Sequence, residues 1–273
     1  MSRPDCSRRK TVHAANPVPL HVHAVNPSWN ERVLVYGNSI HKPEFLEFYA
    51  FLAPDEFIFF DNGLSSYWSH DTDPIHDFPR HGIPRPAHAY LALHPPLPLP
   101  TYLERIPQTE LTASDFAHPF KRMADASLEK PKHGHLPEHV ILGTSLFRTN
   151  RISWDDERRL YLDLIAAIRQ KSNSSILFKG HPRSSDRPLI SRSDGVDVLE
   201  TIVPIEAFAQ IGGGGIAYSA SSTSLFTLQK HYGFTARRLD SPAIQHVAGR
   251  MPHLDLVNQI PALLLPRGGK TRS

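Results

Sequence analysis

Short apolar runs alternate along the chain with segments whose apolar residues recur at helical spacing. The apolar runs predict strands at residues 33–37, 56–60, 87–93, 140–143, 176–178, 196–199 and 216–218. The helical spacing predicts helices at residues 43–52, after Ser153, and at residues 204–208 and 225–231. Strands and helices that alternate in this way are typical of an α/β fold with a parallel sheet.

Local signals support several of the predicted helix ends. Pro43 suits the first turn of a helix, and Ser153 can cap the helix that follows it. Glu157 and the two aspartates before it lie in the first turn of that helix, where carboxylates interact favourably with the helix dipole. Gly233 is a typical residue to end the last predicted helix.

Other segments lack a regular pattern. Residues 1–30 are polar and contain proline, which predicts a disordered or loosely attached arm. Residues 70–88 are rich in His, Pro and Asp and are predicted to form a loop. Residues 94–135 are rich in proline and then charged, so this long irregular region is the best candidate for a linker between domains. The glycines at 212–215 precede a strand instead of following one, which predicts a flexible connection and not a dinucleotide-binding turn.

The composition is that of a soluble globular protein that is long enough for two domains. Of the 273 residues, 40% are hydrophobic and 21% are charged. The formal net charge of +3 is compatible with an anionic ligand or with contact to anionic lipid, but it does not indicate nucleic-acid binding. The single cysteine, Cys6, fits a reducing compartment, and neither a membrane-spanning run nor a signal peptide is recognisable. These features predict a cytoplasmic protein.

The stretch SSILFKGHPR, at residues 174–183, carries the clearest candidate chemistry. A predicted strand ends there on Lys179, Gly180, His181, Pro182 and Arg183. Ligands of open α/β sheets bind at the carboxyl ends of strands, and three basic side chains suit an anion such as a phosphate. The glycine lets the backbone come close, and the proline stiffens the exit. A basic surface turn after a core strand is the alternative interpretation.

Two further polar clusters follow predicted strands. Asp61, Asn62 and Gly63 follow the strand at 56–60, and the hydroxyl-rich residues 219–224 follow the strand at 216–218. The hydroxyl-rich cluster precedes a helix, whose amides and dipole favour an anion, although a plain helix cap is an alternative. The sequence contains neither a P-loop nor a G-x-S-x-G nucleophile elbow, which argues against the enzyme classes built on them.

Taken in chain order, the three clusters resemble the motifs of the bacterial sialyltransferases, which include capsular polysialyltransferases and lipooligosaccharide sialyltransferases. That family carries a D/E-D/E-G motif, an H-P motif and a Ser-Ser/Thr motif, which here read FFDNGLSSYW, FKGHPR and SASSTS. Further similarity lies in NSIHKPEFLEF, in HVILGTSL with the acidic helix after it, and in VPIEAF. The resemblance covers residues 33–235.

The resemblance implies the glycosyltransferase-B architecture, in which two Rossmann-like domains face a cleft. We therefore expect an acceptor-side domain with a long linker at residues 31–135, shortened relative to a full Rossmann domain. We expect a nucleotide-sugar-binding domain at residues 136–265.

The resemblance also implies transfer of sialic acid from CMP-sialic acid to a glycan hydroxyl, with inversion and without a cofactor or a metal. Asp61 would be the general base, and His181 would hold the CMP phosphate together with Ser221 and Ser222. Further substrate-binding residues are expected at Gly143, Thr144, Lys179, Gly180, Pro182, Glu206 and Thr223. A metal-dependent glycosyltransferase could use the pair Asp71 and Asp73, but a solvated loop is the favoured interpretation there.

The first motif departs from the family pattern at Asn62, which leaves Asp61 as its only carboxylate. The alternative hypothesis is therefore a catalytically degenerate member that binds a CMP-sugar or glycan without transfer. An unrelated α/β nucleotide-binding protein is a third. If the protein is an active enzyme, we expect it to act at the cytoplasmic face of a bacterial membrane and to associate with that membrane peripherally.

Overall fold

The computed structural model of the chain divides into two compact units, Met1–Glu110 and Leu111–Ser273. It describes residues 34–37, 43–61, 66–67, 75–76, 78–94, 97–149, 151–182, 186–210, 212–242, 244–245 and 254–264. The predicted arm at 1–30 and the predicted site residues Asn62, Gly63 and Arg183 lie outside the described residues, as does the Asp71–Asp73 pair. No helix among the described residues is long and apolar enough to cross a membrane.

The first unit holds a parallel sheet. Among its described residues the sheet has four strands in the order β1-β2-β3-β4, namely β1 (Leu34–Gly37), β2 (Glu56–Phe60), β3 (Pro86–Leu91) and β4 (Gln108–Glu110). Helix α1 (Pro43–Leu52) connects β1 to β2, as the apolar spacing predicts. The sheet and helix bury an aromatic cluster in which the Phe57 ring lies edge-on to Tyr49, at 5.0 Å, and to Phe78, at 5.1 Å. Gly37 is required beside this cluster, because a Cβ there would collide with the Phe57 ring.

The second unit holds a larger parallel sheet. Within the described residues it has six strands, β5 (His139–Leu142), β6 (Ile176–Lys179), β7 (Asp197–Leu199), β8 (Ile216–Ser219), β9 (Thr235–Asp240) and β10 (Ala262–Leu264). Their order is β10-β9-β8-β5-β6-β7, and every pairing is parallel. The chain thus builds outward from β5 in one direction and then returns to continue from β8 in the other. This order is that of a Rossmann-like, doubly wound sheet, whose topological switch point lies between β5 and β8.

Among its described residues the second unit has the α-helices α2 (Ala113–Ala126), α3 (Trp154–Arg169), α4 (Ser224–Tyr232) and the short α5 (Leu254–Val257). The predicted start of α3 and the predicted end of α4 are confirmed. Helix α3 begins after Ser153, whose Oγ accepts a hydrogen bond of 3.0 Å from the Asp156 amide, as predicted. Helix α4 ends at Gly233, which has a φ of 78° and is therefore in the left-handed region. Helix α3 packs Tyr161 and Leu164 against the sheet beside Phe178.

The prediction of a long irregular region at 94–135 was wrong over part of its length. Strand β4 and the 14-residue helix α2 both lie in it. Helix α2 contains Pro119, a helix breaker, and has no buried residue. Two features stabilise the helix nonetheless: the Asp115 carboxylate accepts a 2.7 Å bond from the Thr112 amide, and α2 packs against the 3₁₀ helix Ile205–Phe208.

Candidate functional site

A cavity of about 470 Å³ opens at the carboxyl ends of β5, β6 and β8, the strands on either side of the switch point. Segments after each strand line it. The lining includes Gly143, Thr144, Ser145, Lys179, Gly180, His181, Pro182, Ser221, Ser222, Thr223 and Ser224, and also residues 202–205. Crevices outside the strand ends at a switch point are the usual ligand sites of such sheets. The sequence therefore builds one site from three separated strand ends.

The segment after β5 approaches its neighbours so closely that it requires glycine. The Gly143 amide donates a 2.9 Å hydrogen bond to the Lys179 carbonyl of the adjacent strand. A Cβ at Gly143 would lie 2.9 Å from Phe178 Cζ and 3.1 Å from that carbonyl oxygen. The close approach brings Thr144 and Ser145 to the same cavity wall as His181, whose Nδ1 lies 3.4 Å from Ser145 Oγ.

Thr144 is fixed from below by two buried side chains of α3. Its hydroxyl donates a 2.6 Å hydrogen bond to Glu157 Oε1, and its amide donates a 2.9 Å bond to the Tyr161 hydroxyl. Glu157 is fully buried, and burial raises the pKa of its carboxyl, although the bonds from Thr144, Phe147 and Leu146 oppose that rise. Burial also raises the pKa of the Tyr161 hydroxyl. Glu157 and Tyr161 thus hold Thr144, and with it this part of the cavity wall, in place from inside the core.

Lys179 is a buried residue of the site and does not point to solvent. It ends β6 at 7% exposure, and its Nζ donates to the Gly180 carbonyl at 3.0 Å and to the Thr201 carbonyl. Burial lowers the pKa of Lys179 to about 8, against the opposing effect of the nearby Glu206 and Glu129 carboxylates. The lysine joins the segment after β6 to the one after β7, and it brings a positive charge to the cavity.

The hydroxyl cluster after β8 combines both predicted interpretations. Ser219 is buried, where its hydroxyl donates a 2.8 Å bond to the Leu142 carbonyl and accepts from the Ser222 amide at 3.3 Å. Ser222 Oγ accepts a 3.2 Å bond from the Ser224 amide, which is the local cap of the plain interpretation. Ser221 to Ser224 line the cavity at the N-terminus of α4 at the same time. The hydroxyls and the N-terminus of α4, where the helix dipole is positive, therefore line the same cavity as Lys179.

Asp61 belongs to the first unit, where it follows β2. Its Oδ2 accepts hydrogen bonds from the Ala92 amide at 2.6 Å, the Leu93 amide at 3.2 Å and the Tyr67 hydroxyl. The Leu93 amide also donates to the Tyr67 hydroxyl at 3.0 Å, and burial together with the Asp61 charge raises the pKa of that hydroxyl. These bonds tie the end of β2 to the segment after β3. They also stabilise the carboxylate in its charged form.

A comparison with known families covers all three of the motifs that these sites contain. A family model described as alpha-2,8-polysialyltransferase (POLYST) matches residues 21–239, which is most of the chain. The chain belongs to the alpha-2,8-polysialyltransferase family. The match extends from before β1 into β9, so it includes Asp61, His181 and Ser221. A search of curated proteins found no match.

Among the described residues of the second unit that were predicted to bind or act on the substrate, all but Glu206 line the cavity. Glu206 is buried in the 3₁₀ helix Ile205–Phe208, where its Oε1 accepts a 2.9 Å bond from the Thr227 hydroxyl. Its neighbour Ile205 lines the cavity instead. Glu206 therefore acts on the site through its charge near Lys179 and through its contact with α4.

Sequence reasoning missed several residues of the site. Ser145 lines the cavity one position beyond the predicted Thr144, and the strand-end rule that found Thr144 could have included it. Ser224, which also lines the cavity, belongs to the hydroxyl-rich cluster predicted at 219–224. Glu157 and Tyr161 carry no motif, and only the fold shows that they contact Thr144. A second, smaller recess of about 100 Å³ shares Gly180, His181 and Pro182 with the main cavity and is lined mainly by apolar residues, among them Phe178, Leu189 and Ile202.

Proposed function

We propose that this chain is an inverting sialyltransferase that moves sialic acid from CMP-sialic acid to a hydroxyl of a glycan. The carrying observation is the cavity at the switch point of the second unit, where His181, Lys179 and the residues 221–224 converge in a member of the polysialyltransferase family. A ligand with a phosphate group suits this set, because it combines cationic, hydroxyl and helix N-terminal donors.

In the proposed reaction, the acceptor hydroxyl attacks the anomeric carbon of the sialic acid from the face opposite CMP. The bond between that carbon and the CMP phosphate oxygen breaks, and CMP leaves with the bonding electron pair. Negative charge develops on the phosphate, and fixed donors at His181, Lys179 and Ser221 stabilise it without reorganising. The hydroxyl proton passes to a general base, for which Asp61 is the candidate from the first motif.

The corresponding domain proposal is the glycosyltransferase-B arrangement. In it, the second unit binds the nucleotide sugar and the first unit provides the acceptor side. Gly143, Thr144, Gly180 and Pro182 would shape the donor site through their backbone, since their segments line the cavity. We further propose a cytoplasmic enzyme that contacts an anionic membrane surface, which the net charge of +3 favours.

A catalytically degenerate member is the second candidate function, and a specific observation favours it. Asp61 Oδ2 accepts three hydrogen bonds, and the next position of the motif is Asn62. A carboxylate so engaged is a weaker base than one that faces solvent. Such a protein would bind a CMP-sugar and leave it intact.

The test is to incubate the purified chain with CMP-sialic acid and a sialylated oligosaccharide, and to measure free CMP and extended product by mass spectrometry. The proposal predicts both products in equal amounts, with His181→Ala much less active and the exposed-loop variant His133→Ala unchanged. CMP binding without transfer or hydrolysis would favour the degenerate member. Failure to bind CMP would overturn both candidate functions.

A further inference from the structure

Helix α3 turns one carboxylate of its first turn into the core. Glu157 is 0% exposed, whereas Asp155 and Asp156 of the same turn are exposed. A buried carboxylate is costly unless donors satisfy it. Here the hydrogen bonds come from one segment, namely the Thr144 hydroxyl at 2.6 Å, the Phe147 amide at 2.9 Å and the Leu146 amide at 3.4 Å. The contact of Glu157 with the helix dipole therefore does not explain its position.

These donors hold residues 144–147 around the Glu157 carboxylate, and Ser145 lies between them in the chain. Tyr161 lies one turn after Glu157 on the same helix and also contacts Thr144 through hydrogen bonds. Thr144 has one hydroxyl proton, which it donates to Glu157, so the 2.9 Å contact with Tyr161 is a donation from the tyrosine. The order of donors is Tyr161 to Thr144 to Glu157, and it leaves no freedom to rotate the threonine.

Ser145 is the next residue along, and its Oγ lies 3.4 Å from His181 Nδ1. In a neutral imidazole, one ring nitrogen carries the hydrogen and the other accepts. The Ser145 hydroxyl can either donate to Nδ1 or accept from it, and in both cases the contact restrains the orientation of the ring. The carboxylate in the core and the histidine at the cavity are thus joined through one short segment.

We propose that Glu157 is a positioning residue for the anion site: by holding residues 144–147 it sets Ser145 against His181 and so fixes the orientation of the histidine. The inference deepens the proposed function, on which it rests for the identity of the ligand. If Glu157 has this role, its replacement changes phosphate recognition, whereas replacement of a purely structural buried acid would not.

The experiment compares Glu157→Gln, Ser145→Ala and their combination with the control Asp155→Asn, which changes an exposed acid in the same helical turn. Binding of CMP and of cytidine is measured by calorimetry, and folding by thermal unfolding. Glu157→Gln places an amide N–H against the Phe147 amide, so it should weaken CMP binding about 2- to 13-fold, as expected for one hydrogen bond. Cytidine lacks the phosphate, and its binding should not change. The double variant should be no weaker than the stronger single variant, because both act through one path.

A second readout does not depend on the nucleotide. Imidazole ¹H–¹⁵N spectra distinguish the tautomers, and comparison with His181→Ala assigns the ring among the 17 histidines. The His181 signals should shift in Glu157→Gln and not in Asp155→Asn. If Glu157→Gln does not fold, Tyr161→Phe removes only a hydroxyl from the same network and is measured instead.

Equal losses of CMP and cytidine binding, or unchanged His181 signals, would overturn the inference and leave Glu157 a structural residue. If the unaltered protein binds neither CMP nor cytidine, the proposed function fails. The positioning role is then decided by the His181 spectra alone.

Discussion

Lys179 provides the sharpest test of an anion site at the switch point. Burial lowers the pKa of Lys179 from 10.5 to about 8, which corresponds to a cost of about 3 kcal/mol for the charged form in the folded protein. A folded protein keeps such a charge at neutral pH only at the expense of stability. The Gly180 and Thr201 carbonyls that accept hydrogen bonds from Nζ recover part of that cost, and a phosphate in the cavity would recover more.

The pH dependence follows from this value. Below pH 8, Lys179 is charged in both the folded and the unfolded protein, so the full cost of its burial is present. Between pH 8 and 10.5 the unfolded chain binds more protons at this position, so the stability contribution rises with pH. CMP binding changes in the opposite direction, because deprotonation removes the positive charge. CMP affinity should fall with a limiting slope of one decade per pH unit above pH 8, or about tenfold between pH 7 and 9.

The assay is calorimetric titration of CMP at intervals from pH 7 to 9, where the phosphate group, with a second pKa near 6, keeps a constant charge. Lys179→Met keeps the length of the buried chain and removes the charge, so its CMP affinity should be lower at pH 7 and independent of pH. Lys121→Met, on the exposed face of α2, is the matched control and should follow the unaltered protein. A CMP affinity of the unaltered protein that is flat across this range would refute the assignment of Lys179 to the anion site, as would an equal slope in Lys179→Met.

Other expected outcomes concern single residues of the two sites. His181→Ala should weaken CMP binding by about 10- to 150-fold, as for the loss of a charge-assisted hydrogen bond of about 1.5–3 kcal/mol, and an unchanged affinity in calorimetry would exclude it from the phosphate site. Gly143→Ala should lower the free energy of unfolding by about 1–3 kcal/mol, since its Cβ would lie 2.9 Å from Phe178 Cζ; Gly180→Ala, whose Cβ would meet nothing within 4 Å, is the control in denaturant unfolding. Asp61→Asn should reduce transfer by about 10²–10⁴-fold and leave CMP binding unchanged, and transfer that survives it would rule out Asp61 as the base.

The sequence predicted which residues meet at the cavity of the second unit because its signals are local. Each of the strands β5, β6 and β8 is an apolar run that ends on glycine or polar residues, and parallel strands deliver those ends to one edge of the sheet. Sequence spacing does not show which strands are neighbours. The structure adds that β5 lies between β6 and β8, which is why residues as far apart as Thr144 and Ser221 share a cavity.

The features that the sequence did not reveal depend on tertiary burial. Helix α2 contains Pro119 and was predicted as irregular, but packing against the 3₁₀ helix Ile205–Phe208 overrides the local signal. From the sequence, Glu157 was explained as a carboxylate in the first turn of a helix, and nothing in the spacing distinguishes it from Asp156. Only the direction in which each side chain leaves the helix decides that one is solvated and the other contacts Thr144.

The hydrogen bonds to Asp61 bear on the choice between an active and a degenerate protein in two opposing ways. Three donors on Oδ2 stabilise the anion and weaken it as a base, but they also fix the carboxylate in place before any substrate binds. How strong a base the reaction needs depends on its transition state. Where glycosyl transfer passes through an oxocarbenium-like transition state, the acceptor oxygen gains positive charge as its bond to the sugar forms. Its proton is then strongly acidic, and a weak, well-positioned carboxylate is sufficient to take it. The hydrogen bonds to Asp61 therefore weaken it as a base, but the proposed reaction does not need a strong base. Because Asn62 is an amide, the motif has no second carboxylate to share the role.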